Sequence, residues 1–416
     1  MSETLKPRQS AVRILARVLT KDKTVPAAIA LERDFETFTE SDQQFVRLLV
    51  LTTLRRMGEI DLVIGKLLQK PLSKKHQTVQ LILRLGVAQA LFLNTPAYAV
   101  VNTSVGLVKR FHLEGLAPLV NAILRNLYRQ QKKWDLKGHP TMNLPQWLEK
   151  SWVKAYGAEN TQQMAHAILN PPPLDISVPD HPEEWAQKWN GSLLPTGGVR
   201  VMVSDPRDLP DFEKSGGWVQ NAAASVPAQL FTDISGKRVA DLCAAPGGKT
   251  AQLACRGAYV SAFDISEKRI RQLRENMKRL NLQVSVCVGD ICDLSEKDIF
   301  DAVLLDAPCS ATGTLARHPE IKYQKTEADI IRLADMQKKL LQKAIQLVKH
   351  GGEIVFSTCS LQPEEGDSVI QSVLNQVDII PPKDSKWEQF LTPFGSLRIL
   401  PLNGFDGFYA CLMRKK

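Results

Sequence analysis

Residues Arg238–Thr250 read RVADLCAAPGGKT, a short apolar run that ends in an acid and passes into a turn of small residues and glycine. Val239-Ala240-Asp241-Leu242 has the composition of a buried strand, Pro246-Gly247-Gly248 breaks it, and Lys249-Thr250-Ala251-Gln252-Leu253 predicts the first turn of a helix. A strand, a loop and a helix in that order suit an adenosine-bearing ligand. Gly247 and Gly248 let backbone N–H groups come close to it, and the positive end of the following helix favours a carboxylate or phosphate.

Two nucleotide patterns compete for the loop. Gly248-Lys249-Thr250 matches the last letters of a P-loop, and Val303-Leu304-Leu305-Asp306 has the form of an acidic strand that holds magnesium. The P-loop pattern, however, needs a glycine where Cys243 stands. The dinucleotide fingerprint GxGxxG is also absent. A carboxylate nevertheless stands where a ribose would need one, because Tyr259-Val260-Ser261-Ala262-Phe263-Asp264 reads as a second strand ending in Asp264. A lone strand-end aspartate is usually a helix cap. Here Val284–Val288 is a third strand that runs into Gly289-Asp290, so the acids form a series.

Outward from this stretch, strands are predicted at 238–243, 259–264, 284–288, 301–306 and 353–358, with helices at Glu267–Leu280 and Ile330–Lys349. Such alternation implies a mostly parallel sheet with helices on both faces and ligands at the carboxyl ends of the strands. Phe408–Met413 adds a late edge strand.

The first 135 or so residues have a different character. Ala11, Val12, Ile14, Leu15, Val18 and Leu19 repeat at helical spacing, as do Leu81, Ile82, Leu85, Val87, Ala88 and Leu91, and Asn94-Thr95-Pro96 ends the second segment. Between Leu51 and Pro140 there are 14 Lys and Arg against 4 Asp and Glu, a local net of +10 in a chain of net +9. Charge runs are often only solvated helix faces. An excess this local, through Arg55, Arg56, Lys66, Lys70, Lys74, Lys75, Lys109, Arg110, Arg125, Arg129, Lys132 and Lys133, favours a polyanion such as RNA.

From about 138 to 215 the sequence changes again. Lys137-Gly138-His139-Pro140 reads as a hinge, Pro145–Tyr156 as a short helix, Asn170-Pro171-Pro172-Pro173 as an extended stop, and Leu174–Val178 and Val199–Val203 as strands. Met1-Ser2-Glu3-Thr4 does not open a signal peptide and no stretch of about 18 apolar residues exists, so a cytoplasmic location is expected. The seven cysteines form no CxxC and the histidines have no ligand spacing, so neither disulfides nor a metal site is expected.

DLCAAPGGKT, FDIS, GDI, DAPCSATGT and STCS, in this order, resemble the S-adenosyl-L-methionine-dependent RNA 5-methylcytosine methyltransferases. LRLGVAQALFLNTPAYAVVNTSV and PLVNAILRNLYR resemble the NusB-like domain of the bacterial RsmB family, with Gly86, Pro96, Ala97, Asn102, Asn121 and Arg125 in matching phrases. The resemblance implies an all-α NusB-like domain over 1–137, a small α+β segment over 138–215 and a Rossmann-like class I methyltransferase domain with a seven-stranded sheet over 216–416. Gly217-Trp218-Val219-Gln220-Asn221 resembles the entry to that domain, but Asn221 stands where the family usually has Asp.

The chemistry so implied calls for a thiolate. Carbon 5 of cytosine is a poor nucleophile until a cysteine adds at carbon 6, after which a proton and the cysteine must leave. Pro308-Cys309 and Thr358-Cys359 both sit at strand ends, and position alone does not decide between them. By resemblance Cys359 is the nucleophile, Cys309 assists product release, and Asp306 lines both the base and cofactor pockets. By the same carry-over Cys243, Ala244, Ala245, Pro246, Gly247, Gly248 and Lys249 hold the methionine part of the cofactor, Asp264 the ribose and Asp290 the adenine end. Arg269 and Lys322 match basic family positions. The expected substrate is 16S ribosomal RNA, free or early in assembly, with the target cytosine out of its stack, and the expected state is a monomer without membrane or metal partners. A non-catalytic RNA-binding assembly or transcription factor is the alternative, since NusB-like domains also occur without chemistry.

Overall fold

The computed structural model describes residues 4–21, 23–130, 134, 136, 138–203 and 205–416, so Lys132, Lys133 and the hinge residue Lys137 lie outside the described residues. The chain forms two compact units, Met1–Pro171 with Leu315–Gln324, and Pro172–Thr314 with Lys325–Lys416. No helix among the described residues is long and apolar enough to cross a membrane.

The first unit is helical: α1 Leu5–Lys21, α2 Val25–Ala30, α3 Glu40–Arg55, α4 Met57–Leu67, α5 Gln77–Phe92, α6 Ala97–Arg110, α7 Ala117–Arg129 and α8 Gln146–Ala167. Helix α5 is central. Val79, Leu81, Ile82, Leu83 and Leu85 through Ala90 are all buried, an apolar surface that α1, α3, α4, α6 and α7 cover from every side. Gly86 permits the closest approach, since a Cβ there would lie 2.9 Å from Leu124 Cδ2 and 3.3 Å from Ser104 Oγ. The expected short helix at 145–156 is present but is followed by a second helical stretch, the two meeting at Gly157 with φ +83°.

The first unit does not stop at 137. A Cβ on Gly58 of α4 would fall 2.0 Å from the Met142 carbonyl oxygen, and Asn143 Oδ1 accepts the Glu59 N–H at 3.2 Å, so the stretch leading into α8 packs directly on α4. The small segment expected over 138–215 is therefore divided, its helix in the first unit and its strands in the second. The ten residues Leu315–Gln324 also belong to the first unit: Arg55 donates twice to the Ala316 carbonyl (3.0 and 2.7 Å), Tyr323 Oη donates to the Leu54 carbonyl (2.9 Å) and Glu320 accepts the Val25 N–H (3.1 Å).

The second unit opens with β1 Leu174–Ser177, α9 Pro182–Lys188, β2 Ser192–Leu193, β3 Val199–Val201, β4 Trp218–Val219 and α10 Ala222–Gln229. The four strands make an antiparallel sheet of order β2-β3-β1-β4 around Ile176, Trp189, Val199, Val201 and Phe212. Then come β5 Arg238–Leu242, α11 Gly248–Cys255, β6 Tyr259–Asp264, α12 Glu267–Arg279, β7 Ser285–Val288, β8 Phe300–Asp306, the helix Glu327–Leu347, β9 Val348–Thr358, β10 Val377–Ile379, β11 Leu397–Ile399 and β12 Phe408–Lys415. The main sheet has the order β10-β12-β9-β8-β5-β6-β7, with β7, β6, β5, β8 and β9 parallel.

Alternate residues along these strands enter two cores, Leu242, Val303, Leu305, Ile354 and Phe356 on one face, Val239, Leu304 and Val355 on the other. This buries both faces, as a parallel sheet requires. Two details depart from expectation. The late strand β12 is not an edge: it runs antiparallel between β9 and β10. The short β11 is an eighth strand that shares the outer side of β12 with β10.

Candidate active site

The carboxyl ends of β5, β6, β7, β8 and β9 carry the candidate catalytic and cofactor residues, whereas Asn221 caps α10, Arg269 lies on α12 and Lys322 lies in the first unit. After β5, Cys243 adopts φ +62°, the Ala245–Pro246 bond is cis and Gly247 has φ +105°. Any side chain at Gly247 would be strained by that φ, and its Cβ would meet Leu273 Cγ and Met277 Cε at 3.1 Å. The loop is held from α12 and β6: Asn276 donates to the Pro246 carbonyl (2.9 Å), Arg269 donates to the Ala245 carbonyl, and the Ala244 N–H donates to the Phe263 carbonyl (2.9 Å).

The two side chains that a P-loop would present are committed elsewhere. Thr250 donates its hydroxyl to buried Asp241 at 2.6 Å, and Lys249 Nζ donates to Asp306 Oδ2 at 2.7 Å. Asp306 is also bound by the Ser357 hydroxyl (2.8 Å to Oδ1), which follows from the β8–β9 register that sets Asp306 beside Ser357.

Asp241 is fully buried, and its Oδ1 has no partner among the described residues. Burial first, then the charges of Asp306 and Asp264, push its carboxyl up to about 7, against the Thr250 hydrogen bond and Lys249. It lines, with Ala244–Lys249, Asp306, Trp218, Gln220, Asn276 and others, a cavity of about 690 Å³. Asp264, Asp290, Cys309 and Cys359 are not among the described residues lining it.

Asp264 is buried beneath the loop. Its Oδ1 accepts the Ser266 N–H (2.9 Å), while Oδ2 accepts the Ala245 N–H (3.3 Å) and pairs with Arg269 (3.3 Å). A carboxylate has about four lone-pair sites, two on each oxygen, so Oδ1 keeps capacity for a further donor. Asp290 is exposed and accepts the Cys292 N–H (2.9 Å), the turn role that a strand-end acid most simply has. Asn221 caps α10 by accepting the Ala223 N–H at 2.9 Å. The Cys243 thiol is raised to about 12 chiefly by burial and then by Asp306, Asp264 and Asp241.

The two cysteines of interest are brought together. Cys309 Sγ lies 3.4 Å from Cys359 Sγ, each partly exposed. The hydrogen bond with Cys359, then burial and the charges of Cys359 and Glu365, hold the Cys309 thiol well above its ordinary range. The loops carrying them are tied by Gly313 N–H to the Cys359 carbonyl (2.9 Å) and Leu361 N–H to Thr312 Oγ1 (3.0 Å).

Sequence reasoning missed Glu365, which is fully buried and bonded to Ser310 and Ser360, the residues that follow the two cysteines. The repeated Cys-Ser pair was a signal. Which of Glu364 and Glu365 turns inward was not readable. Lys322 is placed in the first unit, not among these strand ends: its Nζ donates to the Arg55 carbonyl (2.9 Å), and burial first, then Arg55, lower it to about 7 against the pull of Glu59.

Two family models match the chain, one described as 16S rRNA methyltransferase RsmB/F over residues 228–414 and one as the NusB family over residues 5–129. Ribosomal RNA small subunit methyltransferase B of Photorhabdus laumondii is 31% identical, covering 100% of both chains. The protein of that name from Pseudomonas putida is 31% identical over 97% of each. A crystal structure of PH0851 shares the fold with a TM-score of 0.76 at 22% identity, covering 98% of this chain and 99% of that one.

Proposed function

From the chain's membership of the ribosomal RNA small subunit methyltransferase B family, we propose that it transfers a methyl group from S-adenosyl-L-methionine to carbon 5 of a cytosine in 16S ribosomal RNA, through a covalent cysteine–cytosine intermediate. The observation that carries the reading is the pair of thiols 3.4 Å apart at the ends of adjacent parallel strands. A single nucleophile needs no second thiol. Addition followed by release has work for two.

In this reading Cys359 attacks as thiolate, forming a bond to carbon 6 and leaving electron density on carbon 5. In this reading Cys309, its sulfur 3.4 Å away, donates its proton to the Cys359 sulfur and does not compete as nucleophile. Asp306 accepts hydrogen bonds from the cytosine amino group and the protonated ring nitrogen, stabilising charge as the thiolate adds. Lys249 and Ser357 fix its carboxylate for that task. Once carbon 5 is substituted, its proton leaves to a base and the carbon–sulfur bond breaks, restoring the aromatic ring and the thiolate. Cys309 assists that elimination.

The residues present fit a cationic cofactor. Asp241 offers a buried oxygen with no partner among the described residues, and Asp306 shares the same cavity. When bound, S-adenosyl-L-methionine supplies a methyl group on a positively charged sulfur. Ala244–Lys249 would hold its methionine part, with Cys243 shaping the turn, Asp264 meeting the ribose and Asp290 the adenine end. On the first unit, Lys66, Lys70, Lys74, Lys75, Lys109, Arg110, Arg125 and Arg129 are exposed and suit RNA phosphates. Arg55 and Arg56 do not join them, since Arg55 is buried and Arg56 pairs with Glu59 at 3.0 Å.

The test is transfer of labelled methyl from S-adenosyl-L-methionine to unmodified small-subunit ribosomal RNA, with tRNA as competitor, by wild type, Cys359→Ala and Cys309→Ala. Labelled 5-methylcytosine in ribosomal RNA from wild type alone is expected, with a protein–RNA adduct trapped only by Cys309→Ala. Labelled tRNA would overturn the substrate. Tight RNA binding without labelling would replace the enzyme with an assembly factor.

A further inference from the structure

Glu365 has no part in the chemistry described above, yet more polar groups converge on it than on either cysteine. It sits in the turn Pro363–Glu365 and is fully buried. Its Oε1 accepts the backbone N–H of Ser310 (2.8 Å) and the side-chain amide of Gln337 (3.0 Å). Its Oε2 accepts the hydroxyls of Ser360 (2.6 Å) and Ser310. Its main-chain carbonyl accepts the Thr358 hydroxyl (3.0 Å), and Gln337 also donates to the Pro308 carbonyl (2.9 Å). Pro308 and Ser310 flank Cys309, and Thr358 and Ser360 flank Cys359. One residue thus reaches both sides of both thiols, through its side chain, its main-chain carbonyl or Gln337.

The chemistry of the acceptor matters. Four donors converge on the two oxygens, and an ionised carboxylate is the side chain that only accepts and has about four sites to do so. No Lys or Arg among the described residues pairs with it, so the buried acid is held by neutral donors alone. A group kept there at the cost of desolvation, bonded to both strand-end loops, has the form of a clamp.

We propose that Glu365 is a positioning residue that sets the separation of the Cys309 and Cys359 thiols by holding Ser310 and Ser360 on one carboxylate. The inference rests on the two-cysteine reading above. With the clamp released, the loops that end β8 and β9 lose their shared acceptor, and the attacking sulfur no longer meets carbon 6 in line. Misplacement of this kind lowers the rate of bond formation and leaves substrate binding intact.

The informative variant is Glu365→Gln, which keeps the shape and one carbonyl oxygen but puts an amide donor where the two serine hydroxyls donated. It is expected to melt close to wild type, to bind S-adenosyl-L-methionine and RNA within twofold of wild type, and to lose at least tenfold in kcat with KM unchanged. Glu365→Asp, which restores the acceptors one methylene short, is expected to regain part of that loss. In the Cys309→Ala background, Glu365→Gln is expected to slow adduct formation at least tenfold. Equal kcat in Glu365→Gln and wild type, or equal trapping rates with Glu and Gln, would overturn the proposal. So would a fall in melting temperature with parallel loss of both ligands, the mark of a residue that serves only the fold. Failure of Cys309→Ala with native Glu365 to trap any adduct would instead overturn the covalent reading, and the kcat comparison would still decide the clamp.

Discussion

Lys249 Nζ and Asp306 Oδ2 stand 2.7 Å apart, joining the first turn of α11 to the end of β8. The lysine belongs to the loop proposed to hold the cofactor, and the aspartate precedes the Ala307-Pro308-Cys309 run. Lys249 Nζ also lies 5.2 Å from the centroid of the Phe408 ring, so its stem is packed and its charge is aimed.

Asp306→Asn should therefore cost about 10²–10³-fold in single-turnover methyl transfer, the usual loss when one aimed polar group at a reacting centre is removed. Stability should change by no more than about 1 kcal/mol, because Asp306 is partly exposed and the pair is not deeply buried. Rapid-quench assays with labelled cofactor, beside urea unfolding, measure both. A variant that keeps full single-turnover rate would remove Asp306 from the chemistry.

Gly313→Ala tests the packing that holds the nucleophile loop. A Cβ there would lie 2.1 Å from the Gly407 carbonyl oxygen and 2.8 Å from that of Cys359, both backbone atoms that cannot turn aside. Overpacking of this kind should destabilise the protein by about 1–3 kcal/mol and abolish adduct formation in the Cys309→Ala background. Unfolding midpoints and adduct gels read the two effects, and a variant with wild-type adduct yield would show that the loop tolerates displacement.

Asp241 gives a stability effect with a definite sign. Its folded carboxyl titrates at about 7, against 3.8 as the ordinary value. Between about pH 4 and 7 the folded protein thus binds more protons than the unfolded chain, and stability must fall as pH rises through that window. Asp241→Asn lacks this slope, so its stability relative to wild type should improve from pH 4 to 7 by a few kcal/mol at most. Urea unfolding at several pH values checks it, and parallel profiles for the two proteins would contradict it.

Replacing exposed Lys109, Arg110, Arg125 and Arg129 of α6 and α7 by alanine should flatten the salt dependence of RNA binding. Each lost phosphate contact removes about 0.7–0.9 from the slope of log affinity against log salt. At saturating RNA the methyl-transfer rate should stay near wild type. An unchanged slope would show that these cations face solvent only.

The sheet and the strand-end motifs were legible because strand and loop composition change abruptly at Asp264, Asp306 and Thr358, and because parallel strands deliver their carboxyl ends to one side. The helical unit was legible from its periodicity. Hidden were the relationships that only packing creates. Arg55 and Lys322 read as cations for RNA or for the site, but each is spent inside the first unit, on the Ala316 carbonyl and the Arg55 carbonyl. The packing of 140–143 on α4, close at Gly58 and bonded at Glu59, joins residues far apart in the sequence. Glu365 could not be told from Glu364, since neighbouring acids in a turn differ only in which one the fold turns inward.

The placement of β12 bears on how the protein is made. Strand β9, which leads to Cys359, pairs with β8 on one side and with β12 on the other, Tyr409 standing beside Thr358 and Leu412 beside Val355. A ribosome delivers β8 and β9 well before residues 408–415, so for part of synthesis the apolar run Ile354-Val355-Phe356 presents an unpaired strand edge. Such an edge is a template for pairing with another nascent chain. Until β12 arrives to close it, the strand that leads to the proposed nucleophile is also open to pairing with another chain.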